Sequence, residues 1–151
     1  MATKSKMIIA FDIGGVVKDH STDLPIDGAV EAILKLAEDS SKSVIFISKC
    51  KESYQEKTNT WLRKYNLEHI PTHFCLEYAE KVPIAEKNHV DIIVDDRMQV
   101  LCHFPASIMK IWFCSNPKNI EGARKFQPEF FNSVRIARDW NEVIDAIEEI
   151  P

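Results

Sequence analysis

Three carboxylates stand out by where they fall in the chain. Asp12 closes the apolar run Met7-Ile8-Ile9-Ala10-Phe11, and Gly14 and Gly15, half of the chain's four glycines, follow at once. Asp95 and Asp96 close a second apolar run, Ile92-Ile93-Val94. An apolar strand that delivers an acid into a glycine-permitted turn is how an open α/β sheet builds a site at its carboxyl edge. Acids gathered at one edge repel: at ~4 Å each pair costs roughly 4 kcal/mol at an effective dielectric near 20. A divalent cation relieves that repulsion, and a hard, oxygen-preferring ion such as Mg²⁺ suits carboxylates best. Adjacent acids after an apolar run gain nothing for folding, so the pattern points to a metal-and-carboxylate site.

Positioning these residues requires strands and helices in alternation. Strands are expected over Met7 to Asp12, Ser43 to Ser48, Thr72 to Leu76, Val90 to Asp95, Ser107 to Phe113 and Ser133 to Ala137. Most are continuous apolar runs, as when helices cover both faces of a sheet. Ala29, Val30, Ile33, Leu34 and Ala37 repeat at helical spacing, with the start set by Pro25 and Asp27. Tyr54, Thr58, Trp61, Leu62 and Tyr65 form a second stripe, read as core. A short helix is expected from Pro83, where proline suits a first turn. Another should follow Asp96 with Val100 and Leu101 inward. The last runs from Trp140 to Ile150, capped by Asp139. Alternation of this kind implies parallel pairing with right-handed crossovers. With no linker or repeat, residues 1–151 read as a single α/β domain.

The order of these motifs resembles the haloacid dehalogenase superfamily of phosphohydrolases. Phe11-Asp12-Ile13-Gly14-Gly15-Val16-Val17 looks like its first motif and Ile45-Phe46-Ile47-Ser48 like its second. Lys81-Val82-Pro83-Ile84 resembles the third, and Ile92 to Arg97 the fourth. The resemblance implies a Rossmann-like three-layer sandwich around a mostly parallel sheet. It also implies a Mg²⁺-dependent phosphomonoesterase working through an aspartyl-phosphate on Asp12. In that scheme Asp12, the Gly14 carbonyl and Asp95 or Asp96 hold the ion. Strand side chains alternate between faces, so one of the acid pair is expected to ligate directly and its neighbour to orient surrounding groups. Ser48 would hydrogen-bond a phosphate oxygen, and Lys81, preferred over Lys87, would stand beside phosphate and Asp12. The amides of Ile13 to Gly15 would add anion donors.

Two features depart from the family pattern. The general acid and base expected two residues after the nucleophile is here Gly14; such a group contributes ~10²–10⁴ in rate. That leaves a slow phosphatase, an enzyme recruiting Asp19 or His20 from the following loop, or a degenerate relative that binds metal and a phosphate-bearing ligand without efficient turnover. The chain also has no room for a cap domain. An open site accepts a phosphorylated small molecule, nucleotide or macromolecule, or is closed by a second subunit in a homo-oligomer. Lys49, Cys50, Lys51 and Tyr54 would face that substrate.

Composition bounds the rest. A net charge of -4 argues against a general nucleic-acid binder. No run reaches the ~18 apolar residues of a membrane span, and Met1 to Lys6 lack the pattern of a secretion signal. Cys50, Cys75, Cys102 and Cys114 form no Cys-x-x-Cys pair, so free thiols in a reducing cytoplasm are expected. His69, His73 and Cys75 flank a strand without an evident fourth ligand, so zinc is not expected there.

Overall fold

All six apolar runs form parallel strands: β1 (Met7–Phe11), β2 (Lys42–Lys49), β3 (Thr72–Cys75), β4 (Ile92–Asp95), β5 (Met109–Phe113) and β6 (Val134–Ala137). Their order across the sheet is β3-β2-β1-β4-β5-β6. The structure, a computed structural model, describes residues 6–150; the leader reading of Met1 to Lys6 falls almost wholly outside them. The helices are α1 (Ala29–Glu38), α2 (Glu52–Lys64), α3 (Lys81–Lys87), α4 (Met98–Leu101), α5 (Pro117–Phe126), α6 (Pro128–Ser133) and α7 (Trp140–Glu148).

Alternation along the strands divides the core in two. Ile9, Phe11, Val44, Phe46, Ile92 and Val94 face α1, α2 and α7, where Ile33, Leu62, Trp140, Val143 and Ile147 are buried. Ala10, Ile45, Ile47 and Ile93 face the other side, against Ala85, Val100, Leu101, Ala123 and Phe130 of α3 to α6. The result is a three-layer α/β sandwich, as the sequence implies. Phe11 is fully buried at the centre, a position worth roughly 1.5–3 kcal/mol of transfer free energy. Its ring packs on Trp140 at 5.1 Å between centroids.

Several local expectations are corrected. Helix α1 begins after Gly28, which adopts φ 80° without any side-chain cap; glycine tolerates that left-handed turn, so it, and not Pro25 or Asp27, sets the start. Helix α3 begins at Lys81 rather than Pro83. A 3₁₀ turn over Tyr78–Glu80 with a reciprocal Glu77–Glu80 capping box starts the coil earlier, and Pro83 still falls where no amide donor is needed. Helices α5 and α6 add to the elements read from sequence; Asn116 caps α5 through the amides of Lys118 and Asn119, with Pro117 at its start. Within α2, only Leu62 is fully buried; Tyr54 and Thr58 line a cleft instead. Among the described residues no helix is long and apolar enough to cross a membrane.

The chain runs outward from β1 through β2 to β3, then returns to place β4 on the other side of β1. The crossovers after β1 and β4 leave in opposite directions, which opens a crevice beyond the carboxyl ends of these two strands.

Candidate active site at the carboxyl edge

Asp12 directly follows β1 and Asp95 ends β4, so pairing of those strands brings their carboxylates together. The amide of Asp12 donates to the Val94 carbonyl at 3.0 Å, extending the ladder to the site. Lys81, at the start of α3, reaches in from the other layer. Its Nζ lies 3.2 Å from Asp12 Oδ1 and 2.8 Å from Asp95 Oδ2. All three groups are nearly sealed, with Lys81 at 1% exposure and Asp95 at 0%. Lys87, by contrast, is exposed. Asp95 Oδ1 accepts from the Arg97 amide, and Asp12 Oδ1 accepts from the Ile13 amide. Asp12 Oδ2 takes part in none of these bonds.

Burial dominates the electrostatics. It pushes the Asp12 carboxyl well above the usual range, with Asp95 adding to the rise and Lys81 opposing it. Burial raises Asp95 too, again against Lys81. For Lys81, burial pulls the ammonium down, but Asp12 and Asp95 outweigh it and hold the group charged.

Asp96 completes the set. One carboxylate oxygen from each of Asp12, Asp95 and Asp96 lies within 4.8 Å of the others. Asp96 Oδ1 is buried without a hydrogen-bond partner among the described residues. Three acids against one lysine leave two negative charges. An orphaned buried oxygen in an all-oxygen donor set of that charge suits a hard divalent cation. Both acids of the pair reach the site, because Asp96 lies beyond the strand end where alternation no longer holds. Asp95's oxygens are taken by Lys81 and the Arg97 amide, which leaves Asp96 as the freer donor.

The turn after β1 is shaped around this acid. Gly15 sits at φ 84°, and a Cβ there would stand 2.1 Å from Asp96 Oδ2; only glycine admits both. At Gly14 a Cβ would meet His20 Cε1 at 3.0 Å, so the imidazole lies over the place where the expected second acid would be. His20 Nε2 is 3.6 Å from Asp96 Oδ2, and its side chain is 59% exposed. Asp19 is turned away: its Oδ1 accepts from the amides of Ser21 and Thr22 and from the Ser21 hydroxyl, which lowers its carboxyl below the usual range. The loop that would have to bring Asp19 or His20 inward, one of the three alternatives, is also tied down. The Trp140 indole donates to the Val16 carbonyl at 2.8 Å, and Trp61 to that of Asp23 at 2.7 Å. Trp112 likewise donates to the Asp96 carbonyl. Trp61 reads as core from sequence, and no short-range signal marks any of the three indoles as a brace.

Of the three amides expected as anion donors, those of Ile13 and Gly15 are engaged by Asp12 Oδ1 and the Lys18 carbonyl, which leaves the Gly14 amide for that role. Ser48 is buried near the end of β2, is not the cap of α2, and lines the same cleft as Asp12 and Gly14. That cleft encloses about 650 Å³ and extends past Lys49, Cys50, Lys51 and Tyr54. Tyr78 and Arg97, missed in the sequence, also line it; Arg97 follows the acid pair directly, which was the available clue.

No protein-family model matches the sequence, and no curated protein matches it. Among solved structures the chain is similar to a D,D-heptose 1,7-bisphosphate phosphatase from Burkholderia thailandensis, with a TM-score of 0.71. The match covers 95% of this chain and 99% of that one at 15% identity, a likeness in fold.

Proposed function

We propose that this protein is a Mg²⁺-dependent phosphomonoester hydrolase in which Asp12 is the nucleophile. The observation that carries the reading is the buried ion-paired set of Asp12, Lys81 and Asp95, with Asp96 alongside, opening on a cleft that also holds Ser48. Similarity in fold to a phosphatase supports it. Asp12 and Asp96, with the Gly14 carbonyl, would hold Mg²⁺; when bound, the ion supplies the charge neutralisation that lets a carboxylate and a phosphate meet.

The chain's own residues account for the remaining work. Lys81 fixes Asp12 through Oδ1 and leaves Oδ2 free to attack phosphorus in line with the ester oxygen. The new O–P bond forms as the ester P–O bond breaks, and the leaving alkoxide takes a proton from solvent water in the open cleft. Ser48 donates to a non-bridging oxygen of the phosphoryl group. Water then attacks phosphorus of the aspartyl-phosphate, releasing inorganic phosphate and restoring the Asp12 carboxylate. Gly14 contributes no acid to either step, so turnover should be slow; this same feature favours the second reading, a degenerate relative that binds phosphate without efficient turnover.

Release of phosphate from an aryl phosphate tests the proposal. Activity should require Mg²⁺ and fall on the order of 10⁶-fold in Asp12→Asn, as when a covalent nucleophile is removed. Equal activity in that variant removes Asp12 from the role. A wild-type protein that binds phosphate with Mg²⁺ but turns nothing over would favour the second reading.

A further inference from the structure

The outer end of the cleft carries charge that the hydrolytic centre does not use. Lys49 and Lys51 are exposed and Arg97 is half-buried, and all three line the cleft beyond Ser48. Among the described residues none of them lies within ion-pair distance of a carboxylate. Lys49 and Arg97 arrive from the ends of two different strands, β2 and β4, yet gather on one ring. Lys49 Nζ is 4.4 Å and the Arg97 guanidinium carbon 5.3 Å from the centre of Tyr78. Such stacking holds two like charges near each other at an exposed site. The acid beside Tyr78, Glu77, also lines the cleft and is engaged in its own capping box with Glu80. Lys51 precedes the thirteen-residue α2 and offers it no side-chain cap, so the positive end of that helix opens on the same side. In a chain whose net charge is -4, this is a local reversal of sign, and a walled cleft concentrates its field.

One phosphate, held at Asp12, does not call for these groups. We infer that the outer end of the cleft is a second-anion subsite, and that the substrate is a small phosphomonoester carrying a further phosphate. The inference rests on the proposed hydrolytic reading for the first phosphate, but the subsite itself is a matter of binding. Tyr54 and Leu76, at 53% and 52% exposure two of the large apolar side chains most open to solvent, border it. They present a surface for whatever connects the two phosphates, a sugar ring or a nucleoside.

The test compares matched pairs: fructose 1,6-bisphosphate with fructose 6-phosphate, and adenosine 3′,5′-bisphosphate with adenosine 5′-monophosphate. Affinities are measured calorimetrically on Asp12→Asn protein with Mg²⁺, and kcat/KM on the wild type. At least one bisphosphate should bind about ten- to a hundredfold tighter than its partner, the scale of one or two charge-assisted hydrogen bonds. The preference should shrink with added salt and collapse toward unity in Lys49→Ala/Arg97→Ala. Which pair shows it distinguishes sugar from nucleoside. Equal affinity within both pairs overturns the inference, as does a preference untouched by the double variant when thermal melting shows it folded. Tight, salt-sensitive bisphosphate binding without turnover upholds the subsite and removes the hydrolytic reading; turnover without preference does the reverse.

Discussion

Two sets of charges share one cleft and obey different physics. At its inner end Asp12, Lys81 and Asp95 are buried, with Asp12 alone reaching the cleft, and each is fixed by its neighbours at 2.8 to 3.2 Å. At its outer end Lys49, Lys51 and Arg97 keep contact with solvent, and two of them rest on Tyr78. Burying a charge is costly, so the inner set holds only while every member is present. Hydrated charges cost little and are screened, so the outer set is free to vary without disturbing the fold. The inner set is therefore suited to chemistry with one fixed geometry, and the outer set to recognition.

The comparison breaks first on stability. Lys81→Met removes the cation between two buried carboxylates and should destabilise the protein by about 3–5 kcal/mol, read as a lowered urea midpoint. Arg97→Ala, at the rim, should stay within roughly 0.5 kcal/mol of wild type. Similar losses in the two variants would erase the distinction.

A functional counterpart lies at Gly14. Its backbone has no left-handed requirement, and the displaced neighbour would be His20, a largely exposed side chain that can move. Gly14→Asp should therefore fold and should raise turnover by about a hundredfold, the low end of what a general acid supplies, because the imidazole must first give way. An unchanged rate in a folded variant would mean that something other than this missing acid limits the reaction.

How much of this could be read from residues alone follows from the same contrast. The six strands and the meeting of Asp12 with Asp95 were legible, because apolar runs and strand-end acids are local patterns and parallel alternation leaves few topologies. Lys81 was legible through its place before Pro83. What stayed hidden depends on long-range packing. Nothing near His20 in sequence says that its ring lies over Gly14, and nothing near Trp140 says that its indole reaches Val16, 124 residues away. Tyr54 reads as core because its spacing is helical, yet spacing cannot tell a stripe that meets the sheet from one that overhangs a cleft. The missed α5 is a different failure: Asn116-Pro117 is a local start signal that was present.

Metal linkage separates the two sets again. Mg²⁺ at a hundredfold its dissociation constant should stabilise the folded protein by about 2.7 kcal/mol, raising Tm with ion concentration. The shift should persist in Lys49→Ala and Arg97→Ala, since the donors lie at the inner end. A melting temperature indifferent to Mg²⁺ argues against any ion at the acid cluster.

The smallest effect is the most discriminating, because it sets two adjacent residues against each other. Asp95 and Asp96 look alike in sequence, but only Asp95 is paired with Lys81, while Asp96 holds a buried oxygen with no partner. Without added metal, Asp96→Asn removes one of the two uncompensated negative charges. It should stabilise the protein by roughly 1 kcal/mol, well short of the bare Coulomb figure because the group is partly solvated. Asp95→Asn leaves Lys81 short of an acceptor and should move stability the other way, as Lys81→Met does. The Mg²⁺-induced rise in Tm should then disappear in Asp96→Asn, where a donor has been lost. Thermal melts of the two variants, each with and without Mg²⁺, read all four values. Shifts of the same sign for both metal-free variants would mean that the acids form one undivided cluster, and that Lys81 does not commit Asp95 to the structural side of it.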